Sequence, residues 1–219
     1  ISKDTLWKLT SHYQKSKAPI KGQSVNRAMK PVYAILNLCQ KWDWTEKAYT
    51  QEKLRIDQPK ERRALSEDEI NRLLLATVKT GYTYLHDPIW FYLLTALRKE
   101  ELRRIRKEDI LDNGSTLGIS KQKNGTYNEK IPLSKQAQIL VARNIKKSKS
   151  EYLFYSPNTL KGDLGDFKKA WSRVKTEADV ETDIHSLRHT SITNVSRNVD
   201  SPYRLKQFSR HKTESGLKP

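Results

Sequence analysis

Apolar positions along most of this chain recur at intervals of three and four, the spacing of a helix with one buried face. In SVNRAMKPVYAILNLCQKW they fall at Val25, Met29, Val32, Leu36 and Cys39, which predicts a helix. Pro31 fits it only near the first turns or with a kink, because proline lacks the amide that an interior turn needs. DTLWKLTSHYQKS predicts a shorter helix before it, and the Pro/Gly stretch KAPIKGQ joins the two. Two or three helices bury too little surface to stand alone, so residues 1–57 are expected to be part of a helical domain whose first elements are absent.

The pattern breaks most sharply in DQPKERRALSEDE, where a proline and a charge run precede Ser66 and, three residues on, Glu69. Ser-x-x-Glu is a capping box: each side chain bonds a backbone amide that the first turn of a helix leaves free. A linker is therefore placed at about 58–65, with a second domain over 66–219. Helical spacing follows at 66–79, 86–97 and 99–107, then a strand-rich stretch from Ile110 to Leu133 with Asn-Gly turns at 113–114 and 124–125. Helices resume at 135–146, 162–178, 185–197 and 202–210. The expected class is mainly α with a small antiparallel β-sheet (α+β).

Composition adds a partner to this outline. The chain has 42 Lys+Arg against 25 Asp+Glu, a net charge of +17, and a mean hydropathy of −0.82. Such an excess favours a polyanion: DNA, RNA or an anionic membrane. The longest apolar run, IWFYLLTAL, is half of what a bilayer span needs, so the membrane reading is weak. Residues 121–149 hold eight Lys/Arg and one acid, Glu129, a density suited to a phosphate backbone. One cysteine, Cys39, excludes an internal disulfide and points to a reducing, intracellular setting.

Five separated residues could together act on a phosphodiester: Arg98 in TALRKEEL, Lys123 in KQKNGTY, His185 and Arg188 in HSLRHTS, and His211 in SRHKT. Arginine's planar fork makes paired bonds to phosphate and stays charged at any working pH. A lysine among cations can protonate a departing oxygen, and histidine can move a proton near neutrality. Singly, each is also what a solvated arginine, a turn lysine or a surface histidine looks like. His185 and His189 have i, i+4 spacing, but HSLRH offers no adjacent carboxylate and sets Arg188 beside them, which argues against zinc. A Gly-rich phosphate loop is absent, so nucleoside triphosphate use is not indicated.

Taken together these segments resemble the tyrosine recombinase family, of the phage-integrase type. TALRKEELRRIRKEDI is similar to its first arginine box, ISKQKNGTYNEKIPLS to its lysine hairpin, HSLRHTSITNV to its second box and SRHKT to the segment before its nucleophile. SVNRAMKPVYAILNLCQKW is similar to the end of its helical core-binding domain. The resemblance implies that Arg98 and Arg188 clamp the scissile phosphate, Lys123 protonates the 5′ oxygen, His185 assists proton transfer and His211 bonds a non-bridging oxygen. Lys121, Lys130, Arg210 and Lys212 are candidates for DNA contact. It further implies a 3′-phosphotyrosine intermediate formed without metal, ATP or other cofactor, and a homo-tetramer acting on double-stranded DNA through a Holliday junction. The setting would be the cytoplasm of a bacterial or phage-infected cell, at the nucleoid.

The family's nucleophilic tyrosine follows the last histidine by nine residues, at position 220, one past Pro219. The 219-residue chain is thus expected to bind DNA without forming the covalent link. Three positions depart from the family pattern: Ala96 and Arg210 stand where glycine is usual, and Ser186 where an acid is. Two other readings remain, a type IB topoisomerase and a non-catalytic DNA-binding protein such as a decayed integrase or excision-type factor.

Overall fold

The computed structural model describes residues 3–15, 22–46, 49–51, 54, 63–120 and 127–210. The chain divides into two units, Ile1–Glu61 and Arg62–Pro219. In the first, α1 (Lys3–Lys15) and α2 (Gly22–Lys41) bury Leu6, Val25, Met29 and Leu36 in a small core. Pro31 lies in the interior of α2, well past its first turns, where it forgoes an amide bond to the carbonyl of Arg27. The segment after α2 is tied back through Asn26, whose amide exchanges two bonds with the backbone of Leu54, at 2.9 and 2.8 Å.

The second unit opens on the expected capping box. The amide of Glu69 donates to Ser66 Oγ at 3.2 Å and the amide of Ser66 to Glu69 Oε2 at 2.9 Å, starting α3 (Glu67–Lys79). Arg63 also grips Glu69, and its hydrogen bonds outweigh burial to hold that carboxyl at about 2. Helix α4 (His86–Thr95) carries Ile89, Phe91 and Tyr92 at the centre of the core, against α3, α6 and α8. A helix apolar on nearly every side is a buried one.

Two helices are shorter than their spacing predicts. α5 spans Lys99–Arg104, followed by a 3-10 turn at Lys107–Asp109. α7 starts at Lys168, because Gly162 and Gly165 both adopt positive φ (70° and 66°), which a right-handed helix cannot include. Between them runs a three-stranded antiparallel sheet in the order β1 (Ile110–Leu111), β2 (Thr116–Ser120), β3 (Tyr127–Pro132). Leu117 faces Ile131 across it, both buried. Asn113–Gly114 forms the turn from β1 to β2, as expected, whereas Asn124–Gly125 lies outside the described residues.

α6 (Lys135–Lys147), α8 (Ile184–Ser196) and α9 (Pro202–Ser209) match the spacing within a residue or two. Ser134 and Asp183 cap the first two, and Pro202 occupies the first turn of the third, where its missing amide costs nothing. No described helix is long and apolar enough to cross a membrane.

Candidate active site

α4 ends because Ala96 turns left-handed, at φ 47° and ψ 36°, its amide closing on the carbonyl of Tyr92 at 3.0 Å. The reversal buries Leu97 and brings Arg98 to the start of α5 in extended conformation. Glu101, one turn on, accepts from the Arg98 amide at 2.7 Å and from its Nη1 at 2.8 Å. The Arg-x-x-Glu spacing is thus a helix start that fixes its own arginine.

α9 ends the same way. Arg210 is left-handed at φ 53° and ψ 37°, with its amide on the carbonyl of Lys206 at 2.8 Å. An L residue there costs roughly 1–2 kcal/mol, which is the physical reason why glycine suits both this position and that of Ala96.

Arg188 joins the two helix ends. It is 3% exposed on α8, and its Nη1 and Nη2 donate to the carbonyls of Ala96 and Ser209. The last carbonyls of a helix have no partner within it and sit at the negative end of its dipole, so one guanidinium satisfies two such ends. Burial, with Arg210 and Arg98 nearby, lowers Arg188 to about 10, still charged at neutral pH.

Arg210 completes the cluster from beneath. Its side chain is 5% exposed; Nη2 bonds Glu101 Oε2 at 2.7 Å and the Ala96 carbonyl at 3.3 Å, and Nη1 bonds Glu129 Oε2 at 3.3 Å. Arg98 Nη2 in turn donates to the Arg210 carbonyl at 3.2 Å. Burial would raise the Glu101 carboxyl, but the bonds from Arg210 and Arg98 prevail and hold it at about 2. Three guanidiniums against two carboxylates leave a net positive charge, and Arg98, 44% exposed, is the member open to solvent.

Of the residues singled out in the sequence, Arg98, Arg188 and Arg210 therefore meet in one network. His185 is exposed on the first turn of α8, one turn before Arg188. Lys130 is exposed on β3, next to Glu129. Lys121, Lys123, His211 and Lys212 lie outside the described residues. Ser186 serves the helix cap: its amide and hydroxyl both donate to Asp183 Oδ1, at 2.7 and 3.1 Å. The sequence reading missed Glu129, although a single acid among eight basic residues was a signal that it has a fixed partner. Tyr92 also lies near the charges, but burial raises its hydroxyl to about 12, so it is no ready nucleophile.

A model of the phage integrase family matches residues 63–217. No curated protein matches the chain by sequence. Among solved structures, the Tn1549 transposon integrase in complex with circular intermediate DNA is similar with a TM-score of 0.77 and 18% identity, over 96% of this chain and 77% of that one. A lambda integrase dimer bound to a COC′ core site gives 0.68 and 17%, over 99% and 81%. The catalytic domain of bacteriophage HP1 integrase gives 0.55 and 19%, over 72% and 85%. At these identities the likeness is one of fold.

Proposed function

This chain belongs to the phage integrase family, and from that premise we propose that it is a site-specific recombinase of a mobile element, cutting and rejoining double-stranded DNA. One observation carries the reading: Arg98 and Arg188, from distant segments, converge on the same pair of left-handed helix ends. Donors fixed before the reaction stabilise the charge that grows on the phosphate's non-bridging oxygens. Each such donor is worth about 2.7–4 kcal/mol of barrier in comparable sites.

In this scheme Arg98 turns its exposed guanidinium to the phosphate, while Arg188, held by two carbonyls, fixes the positive field behind it. Lys123 protonates the departing 5′ oxygen, His185 assists that transfer and His211 bonds a non-bridging oxygen. The attacking group is the tyrosine that the family pattern places at position 220, giving a 3′-phosphotyrosine link. The link conserves the energy of the broken ester, so rejoining needs neither metal nor ATP. Strand exchange would proceed in a tetramer, and the transposon and lambda integrase complexes support DNA as the partner.

The test is covalent capture. Protein expressed from its complete reading frame is mixed, in chelator, with a pool of nicked duplexes randomised across the core. A protein–DNA adduct stable to denaturant is the expected outcome. Its absence, with specific binding retained, would replace this reading with that of a non-catalytic DNA-binding protein.

A further inference from the structure

We propose that Arg210 is a positioning residue: from the end of α9 it clamps Glu101 of α5 to Glu129 of β3, and so aims Arg98 and anchors the β2–β3 hairpin to the arginine cluster. The inference rests on the recombinase reading for its effect on rate, but not for its geometry.

A basic residue in this chain would ordinarily be assigned to DNA. The side chain of Arg210 is unsuited to that task, because it is 5% exposed and both its Nη atoms are engaged. It contacts three separate segments at once: Glu101 in α5, Glu129 in β3 and the carbonyl of Ala96 after α4. Its own carbonyl holds Arg98 Nη2, so Arg98 is aimed by Arg210 directly and through Glu101 as well. The backbone is held left-handed at φ 53° for an arginine, a conformation a side chain occupies only where its contacts outweigh the strain. Without Arg210, Glu129 would lose its tie to Glu101, and Glu101 would draw on Arg98 alone.

Arg210→Gly, Arg210→Lys and Glu129→Gln separate the possibilities. Glycine suits the left-handed backbone, so Arg210→Gly removes the clamp while relieving strain, and Glu129→Gln cuts only the hairpin link. In the full-length protein, duplex affinity should stay near that of the wild type. The rate of adduct formation on the captured duplex should fall by on the order of tenfold to a hundredfold in Arg210→Gly. The Glu101 carboxyl, followed by carbon NMR, should titrate well above its native position in the same variant. Arg210→Lys should restore part of both, since an ammonium can still meet one carboxylate.

Unchanged rate and unchanged Glu101 titration in Arg210→Gly would overturn the proposal. So would a parallel loss of affinity and rate, which would make Arg210 a DNA contact. If the wild-type protein forms no adduct at all, the recombinase reading fails. The Glu101 titration then decides the clamp by itself, a shift supporting it and no shift ending it.

Discussion

The guanidinium of Arg188 donates to the carbonyl of Ala96, the residue whose left-handed turn ends α4 and starts the path to Arg98. The backbone bend that delivers one arginine is thus the acceptor that holds the other. Replacing Arg188 by Ala removes its bond to the Ser209 carbonyl, at about 1–3 kcal/mol for a buried acceptor left unpaired, while the Ala96 carbonyl keeps its bond from Arg210. Urea unfolding should show that loss. Adduct formation should be abolished while most duplex affinity remains, and a comparable loss of both would mark Arg188 as a binding residue only.

Acid should unfold the second unit in part through Glu101, whose carboxyl sits at about 2 against an ordinary 4.5. Because the folded value is depressed, the stabilisation is complete above the ordinary value and is lost as pH falls through about 2. After allowance for screening by water it amounts to about 1–3 kcal/mol. Glu101→Gln should flatten the fall in stability between pH ~5 and ~2, as read by urea midpoints across that range. Glu69, held low by Arg63, should contribute in the same direction.

Lys130 and Arg210 should separate in salt. Exposed Lys130→Ala should weaken binding to any duplex evenly and reduce the slope of log affinity against log salt by about 1. Arg210→Gly, lacking an exposed charge to remove, should leave the slope as it was. Titrations at several salt concentrations decide it, and equal slopes for Lys130→Ala and wild type would exclude Lys130 from the interface.

Two glycines test the account of the shortened α7. Gly81 has φ 74° with open space where a Cβ would go, whereas at Gly162, φ 70°, a Cβ would lie 2.8 Å from Ser150 Cβ. Alanine at 81 should cost roughly 1 kcal/mol of strain, and at 162 roughly 1–3 kcal/mol more for the clash. Equal unfolding midpoints for the two variants would contradict the packing described.

What the sequence made legible was local. Ser66 with Glu69 marked a helix start because caps act within one turn. Arg98, Lys123, His185, Arg188 and His211 were suited to phosphodiester chemistry, but each is ordinary alone, and it was the family resemblance that gave them roles. That Arg188 is seated on the carbonyls of Ala96 and Ser209, and Arg98 on that of Arg210, was not readable, because the acceptors are backbone atoms and carry no residue signature. The start of α7 was misplaced because apolar spacing continued through Gly162 and Gly165, whose positive φ leaves no mark in that spacing. Ala96 and Arg210 were noticed as substitutions for glycine, but their shared left-handed geometry appeared only in three dimensions.

Because Arg188 is seated on main-chain oxygens, its socket is specified by where two helices stop and hardly at all by which side chains line it. Any residue small enough for the buried site at 209 supplies the same oxygen, so the seat does not depend on the serine hydroxyl. A change in length is another matter. One residue added to or removed from α4 or α9 would swing its terminal carbonyl by about 100° around the helix axis. The register of two helices is therefore the part of this chain least free to change.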